Sequence, residues 1–416
     1  MWKELRLDDW VKGRRASLSD VRSPVEDIIS KVRSGGDKAL IELTAKFDKV
    51  ELSSLRITEK EMLHAREMVP KELVAELHKA AENITRFHKL QKQGDIWFKE
   101  VEPGLILGVK TTPLERIGAY VPGGRASYPS TVLMCAIPAK VAGVKEVVLC
   151  TPPPVSPLTL VALDIAGVDE AYKVGGAQAI AGMALGTESI GKVQKIVGPG
   201  NVYVTMAKML LRDEVDIDFP AGPSEIAIMA DASADASFIA ADILAQAEHD
   251  PNSACILVST DPSLPSKVEK ELVSQLETAG RKAILDRSMK NTGYVIVKDL
   301  DEAAAAIDRI APEHLSIQMS NEMRALNTVH NAGSIFIGKY AAVACGDYAS
   351  GTNHVLPTAG YSKTYSGLDV NHFCKRSSIQ MIDRTGLERI GGTVMKLAQA
   401  EGLDAHSKSV ERRLKE

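Results

Sequence analysis

The chain has 416 residues, of which 45% are hydrophobic and 25% charged, and its formal net charge is -4. That is the composition of a soluble globular protein with apolar material for two or more cores. It offers no overall basic field to recruit nucleic acid, and a small molecule is the partner it favours.

In chain order, the charged start Met1-Trp-Lys-Glu-Leu-Arg6 lacks the apolar core of a signal peptide. The next hundred residues read as helical. Val25 to Phe47 carries apolar residues at helical spacing, broken at Gly35-Gly36, and Lys60 to Gln91 is a charged amphipathic stretch. From about Gly104 short apolar runs alternate with helical segments and glycine-rich turns. The runs are 117–121, 146–150, 171–174 and 195–197, and the same grammar restarts at 224–229 and continues through 254–258, 294–297, 315–318 and 334–337. Such βαβ grammar implies buried, mostly parallel sheets. The expected fold is α/β, with two Rossmann-like parallel-sheet domains and helical N- and C-terminal extensions. After about Asp369 the chain turns helical again.

The most apolar stretch, Val132 to Val144, is interrupted by Pro138 and Lys140 and is too short to span a bilayer. Thr151-Pro-Pro-Pro-Val155 reads as an extended βα loop. The five cysteines, Cys135, Cys150, Cys255, Cys345 and Cys374, form no CxxC pair and suggest no disulfide framework. A reduced cytoplasm fits them, and they read as small core hydrophobes.

The nine histidines filter the chemistry. His64, His78 and His88 lie in the charged helical region and read as solvated, and His330 has no cluster around it. Gln246 and His249 are three apart at the end of a helix starting near Ala234, so one face could offer zinc a carbonyl oxygen and a nitrogen. A histidine there can equally just complement the helix dipole. Ala311-Pro-Glu-His-Leu315 sets a carboxylate beside an imidazole on a turn after a helix, because Pro312 disfavours helical geometry at Ala311. Two adjacent proton acceptors suit a division of acid–base labour, although a surface Glu-His pair is common.

The segment from Ala344 to Thr358 is a long polar loop flanked by apolar sequence, a pattern that favours function over mere connection. Its Asp347 could be a hard oxygen ligand, and His354 could ligate, line a pocket or pack. Gly198-Pro-Gly-Asn201 and Gly175-Gly-Ala-Gln178 each follow a strand and open a helix, where backbone amides can meet a phosphate. The full GxGxxG spacing is absent, so they could also be generic βα turns. His406 lies near the C-terminus, where solvation is the default.

Taken together, eight stretches in order resemble the histidinol dehydrogenase family along essentially the whole chain. They are Gly118-Ala-Tyr-Val-Pro-Gly-Gly124, Val174 to Ile180, Gly198 to Tyr203, Ala221-Gly-Pro-Ser-Glu225, Gln246 to Pro251, Ala311 to Leu315, Gly346 to Thr358 and Glu401-Gly-Leu-Asp-Ala-His406. The resemblance implies a four-electron oxidation of L-histidinol to L-histidine through the aldehyde, reducing two NAD⁺, at the end of histidine biosynthesis. It implies zinc on Gln246, His249, Asp347 and His406. Substrate would be bound by Ser224, Gln246, His249, His314, Asp347, Glu401 and His406, and NAD would contact Tyr120, Gln178 and Asn201. His314 would take the alcohol proton and Glu313 would activate water for the aldehyde step.

It further implies a homodimer whose C-terminal tails intertwine, with no nucleic-acid or membrane partner. The expected division is a tail 1–16, a first Rossmann-like domain of 17–118 with 224–368, a second of 119–223, and an exchanged helical tail 369–416. Two other readings compete. A zinc hydrolase would use Gln246, His249 and Asp347 with Glu313 as water base, but it lacks an HExxH and leaves the paired Rossmann-like units without a purpose. A non-catalytic nucleotide-binding protein would tolerate changes at Glu313 and His314.

Overall fold

The computed structural model describes residues 2–14, 19–123 and 127–416. The expected boundary at 16–17 and Gly124 of the first matching stretch lie outside them. Thirteen strands are described: β1 (Ile96–Glu102), β2 (Leu105–Pro113), β3 (Arg116–Tyr120), β4 (Glu146–Thr151), β5 (Glu170–Lys173), β6 (Lys195–Val197), β7 (Asp216–Ile217), β8 (Glu225–Ala230), β9 (Ala254–Ser259), β10 (Thr292–Ile296), β11 (His314–Gln318), β12 (Ser334–Ile337) and β13 (Cys374–Ile382). The chain divides into two compact units, residues 2–91 with 115–373 and residues 92–114 with 374–416.

The larger unit holds two five-stranded sheets, ordered β5-β4-β3-β6-β7 and β10-β9-β8-β11-β12. Every pairing in both is parallel. Counted within each sheet, both orders are 3-2-1-4-5, the doubly wound arrangement with its switch point between the first and fourth strands. All nine runs read from the sequence are strands, and β7 is an added two-residue edge. The second sheet shows why such strands are apolar throughout. Ile226, Ile228 and Ala230 of β8 face one core, with the helix Ala236–Ala247, while Ala227 and Met229 face the other, with the helix Leu300–Ile310. Period-two side chains with helices on both faces leave no polar position to spare.

Helix is expected up to about residue 100 and again after Asp369, but the smaller unit contains three strands. β1 and β2 form an antiparallel hairpin, and β13 pairs along β2 from Cys374 opposite Pro113 to Ile382 opposite Leu105. The helices Arg384–Ala400 and Asp404–Lys415 follow and pack on each other. No local pattern marks β13, because its partner β2 lies some 270 residues upstream, and β1, exposed along its whole length, carries no buried run to mark the hairpin.

Two other expectations change. His88 is fully buried, with its Nδ1 2.7 Å from Gln91 Oε1 and its Nε2 3.4 Å from Asn353 Nδ2. The polar loop packs down on it, which neighbouring charges in the sequence could not reveal. Cys135, Cys150 and Cys255 are core residues as expected, but Cys345 is exposed and Cys374 half-buried. Among the described residues no helix is long and apolar enough to cross a membrane.

Candidate active site

The Glu313-His314 pair is placed by the entry into β11. The helix Leu300–Ile310 ends at Ala311 in the left-handed region, Pro312 follows, and His314 is the first residue of the strand. His314 is in register with Ile226, which sets Glu313 beside Glu225 at the start of β8. The Glu225 N–H donates to Glu313 Oε2 at 2.8 Å, and the Ser224 hydroxyl also bonds that carboxylate. His314 Nδ1 lies 3.3 Å from the Glu225 carbonyl oxygen. With Nδ1 donating to that acceptor, Nε2 carries the lone pair, and it is buried with no hydrogen-bond partner. Asp347 Oδ1 is 3.9 Å from it.

Both members of the pair are closed off from solvent, Glu313 at 5% exposure and His314 at 3%. Burial pushes the Glu313 carboxyl well above the usual carboxylate range, and the nearby Glu225 and Asp347 charges push the same way. Burial pushes His314 down to about 4, against the pull of Asp347. A neutral imidazole and a carboxyl of raised basicity, each able to receive a proton, therefore share one dry site.

The metal-ligand candidates converge on the same edge. The helix Ala236–Ala247, capped by Asp235 rather than starting at Ala234, runs back from β8 and delivers its last turn to the amino ends of the strands. Gln246 is 2% exposed, and neither its amide oxygen nor its nitrogen has a partner. An orphaned buried amide is costly, so this one fits a group that it would ligate or bond. His249 follows just past the helix end, its N–H on the Gln246 carbonyl oxygen at 3.3 Å. Asp347 comes not from open loop but from a short helix, Val343–Tyr348.

His354 is held at both nitrogens, Nδ1 2.9 Å from the Asp347 carbonyl oxygen and Nε2 3.0 Å from Thr131 Oγ1. Among the described residues no three His, Cys, Asp or Glu side chains cluster closely enough to hold a metal. Of the expected ligands, Gln246, His249 and Asp347 lie in the larger unit. His406 and Glu401 belong to the smaller one, where both are exposed, on and just before the helix Asp404–Lys415.

Sequence reasoning missed three supporting residues. Asp242, one turn before Gln246, accepts the backbone N–H of Val343 and so ties down the helix bearing Asp347; burial raises its pKa to about 6. Phe336 sets its ring 5.9 Å from that of His314. The Glu225 carboxylate is buried against Arg14, Nη1 to Oε2 2.6 Å. A charged residue opening an apolar run reads as a solvated strand end, so the only available signal was its place in the Ala221 to Glu225 stretch.

The expected cofactor residues sit at the carboxyl edge of the first sheet, around its switch point. Tyr120 ends β3 at 3% exposure, and its hydroxyl accepts from the Gly176 N–H at 3.0 Å. Gln178 is buried in the first turn of the helix Gly176–Leu185, whose N-terminus has no side-chain cap. Asn201 is exposed and caps the helix Val202–Leu210, accepting from Tyr203 and Val204 N–H. Gly198 has φ 109°, and a Cβ there would stand 2.1 Å from the Tyr120 carbonyl oxygen, so only glycine closes this turn. Beneath it Lys208 and Asp218 form a buried ion pair, Nζ to Oδ1 2.8 Å, that bonds both ends of Gly198.

Paired doubly wound sheets with a dry Glu-His pair define an α/β enzyme equipped for proton abstraction. The family model for histidinol dehydrogenase matches residues 11–414. Histidinol dehydrogenases of Methanosarcina mazei and Methanothermobacter thermautotrophicus are 54% identical over 404 residues and 47% over 416. They cover 96% and 99% of this chain and 93% and 97% of their own lengths. The crystal structure of histidinol dehydrogenase from Elizabethkingia anophelis superposes with a TM-score of 0.94 at 38% identity, covering 99% of this chain and 97% of that one. The chain belongs to the histidinol dehydrogenase family and is an oxidoreductase.

Proposed function

We propose that the chain carries out the zinc-dependent, NAD-linked oxidation of L-histidinol to L-histidine through L-histidinaldehyde, in the cytoplasm. The observation that carries this reading is the buried Glu313-His314 pair at the same sheet edge as an unpartnered, buried Gln246 amide. Zinc on Gln246, His249, Asp347 and a His406 would orient the substrate through its imidazole and amine, and NAD⁺ would accept hydride.

The chain's own residues supply the rest. His314, neutral and with Nε2 free, removes the alcohol proton as hydride departs. Glu313 takes a proton from the water that attacks the aldehyde, and His314 acts again on the hydrate. Burial of these two groups shields the bound aldehyde from bulk solvent between the two hydride transfers and admits only the water that Glu313 activates. Ser224 and Glu401 contact substrate in this scheme. Tyr120, Gln178 and Asn201 line the cofactor side.

The scheme assigns the cofactor to a half comprising 119–223 and the chemistry to 17–118 with 224–368. The tail 369–416 is exchanged in a homodimer, delivering Glu401 and His406 to a neighbour's site. Their exposure within the isolated chain agrees with that role. The test is NADH formation from histidinol by the purified dimer, with and without a chelator. Two NADH per histidinol, abolished by chelation and restored by zinc, is the expected result. A chelator-insensitive rate, or none with histidinol, overturns the reading.

A further inference from the structure

Arg14 lies far from the pair in sequence, at the end of the helix Leu7–Gly13, yet its guanidinium is buried beside both arms that carry the pair. Nη1 meets Glu225 Oε2 at 2.6 Å, and Nη2 donates to the Ile310 carbonyl oxygen at 2.7 Å. Ile310 is the last helical residue before Ala311-Pro312-Glu313, and the Trp10 ring backs the guanidinium at 4.6 Å.

Glu225 is the hub of the arrangement. Its main-chain N–H holds Glu313 Oε2, and its main-chain carbonyl faces His314 Nδ1. Its carboxylate, 1% exposed, meets Arg14 on one oxygen and accepts from the Ala359 N–H at 3.1 Å on the other. Nothing in the chemistry of the oxidation needs this carboxylate, because Arg14 and the Ala359 amide occupy it. A planar, permanently charged fork can bridge a carboxylate and a carbonyl at once, which a point charge cannot do equally well.

We propose that Arg14 and Glu225 are positioning residues that fix Glu313 and His314 in register, so that the N-terminal helix is a working part of the active site. The inference rests on the proton-transfer roles given above. Small misplacements of acid–base groups cost on the order of tenfold to a hundredfold in rate. Loss of Arg14 therefore slows chemistry per folded molecule, and it slows the Glu313-dependent aldehyde step most, because of the two main-chain contacts Glu225 makes to the pair the 2.8 Å bond to Glu313 is the tighter.

The experiment compares single-turnover oxidation of histidinol and of histidinaldehyde in the wild type, Arg14→Gln, Arg14→Lys, the double variant Arg14→Gln/Glu225→Gln and Glu313→Gln. Rates are normalised to the folded, zinc-loaded dimer. Arg14→Gln is expected to lower the aldehyde-to-alcohol rate ratio by on the order of tenfold with KM for histidinol nearly unchanged, and Arg14→Lys to recover part of it. The double variant buries no unpaired charge, so it must show the same loss even where the single variant is too unstable to isolate. An unchanged ratio and unchanged kcat per folded site in both Arg14→Gln proteins overturns the proposal. If Glu313→Gln fails to impair the aldehyde step selectively, the assignment of Glu313 falls instead. The positioning role is then decided by kcat per folded site and its rescue by lysine.

Discussion

The two five-stranded sheets share one strand order and differ in which edge carries the candidate site residues. In the first, the strands β3 to β7 begin with Arg116, Glu146, Glu170, Lys195 and Asp216. These pair among themselves: Arg116 with Glu146, Arg116 with Glu170 at 2.6 Å, and Lys195 with Asp216 at 2.8 Å. Its amino edge is thereby sealed with charge, and its carboxyl edge, the one at which doubly wound sheets usually take ligands, carries Tyr120 and the Gly198 turn. The second sheet reverses this. Its strands β8 to β12 begin with Glu225, Ala254, Thr292, His314 and Ser334, and the dry Glu-His pair lies there.

At the second sheet's own switch point Asp231 accepts from Ser233 and from Ser320 N–H and Oγ, stitching that crevice shut. The chain passes from β7 to β8 through 218–224, so the carboxyl edge of one sheet leads directly to the edge of the other that carries the Glu-His pair. Thr131, in the first turn after β3, reaches His354 across that same boundary. The fold repeats, but the candidate residues lie at unlike edges of the two sheets.

The sharpest way to break this comparison is at the reactive edge. His314→Asn is expected to slow both hydride steps by about 10²–10⁴-fold, and Glu313→Gln to slow the aldehyde step alone, read as NADH from histidinol against NADH from histidinaldehyde. Gln246→Ala should weaken zinc binding at least about tenfold, the lower end of what losing even a supporting contact costs, as measured by metal content after dialysis against a competing chelator.

At the carboxyl edge of the first sheet, Gly198→Ala forces the turn off Tyr120 and should raise KM for NAD⁺ severalfold while leaving zinc content intact. A fall in zinc content instead would show that the two edges are not separable. Arg116→Met, at the sealed edge, should cost about 1 kcal/mol in thermal or denaturant unfolding with unchanged kinetics, since its partners are partly exposed.

The smallest effect expected is at Asp231. Burial works against its charge, but bonds from Ser233 and Ser320 outweigh it, and its folded pKa lies below the ordinary 3.8. The ionised form is therefore favoured in the folded protein, a contribution present above the unfolded value and lost as pH falls through the folded one. Asp231→Asn should be less stable than wild type at pH 7, and the difference in Tm should shrink as acid is added below pH 4. A gap that stays constant would contradict that origin.

Both parallel sheets were legible because buried strands must be continuously apolar, and nine such runs stood out. β13 was not, since what makes it a strand is pairing with β2 some 270 residues away, and the β1–β2 hairpin, though local, is exposed all along β1 and so lacks the buried apolar run that marked the others. At the site, the family's ordered motifs pointed to Glu313, His314, Gln246, His249 and Asp347. Their geometry was out of reach: that Gln246 is left without partners, or that His354 is held at both nitrogens, depends on what packs over them. Arg14 was invisible for a related reason. Its importance lies wholly in two contacts made nearly 300 and just over 200 residues away.

Ala311 carries a last consequence. It is a non-glycine residue with φ 49°, a conformation that costs an L-residue about 1–2 kcal/mol. The turn that presents Glu313 and His314 is therefore held against its own preference by the contacts around it. A glycine at this position relieves that cost but gives up the buried Ala311 methyl, so backbone strain and core packing are balanced against each other at the one residue that turns the chain into the Glu313-His314 pair.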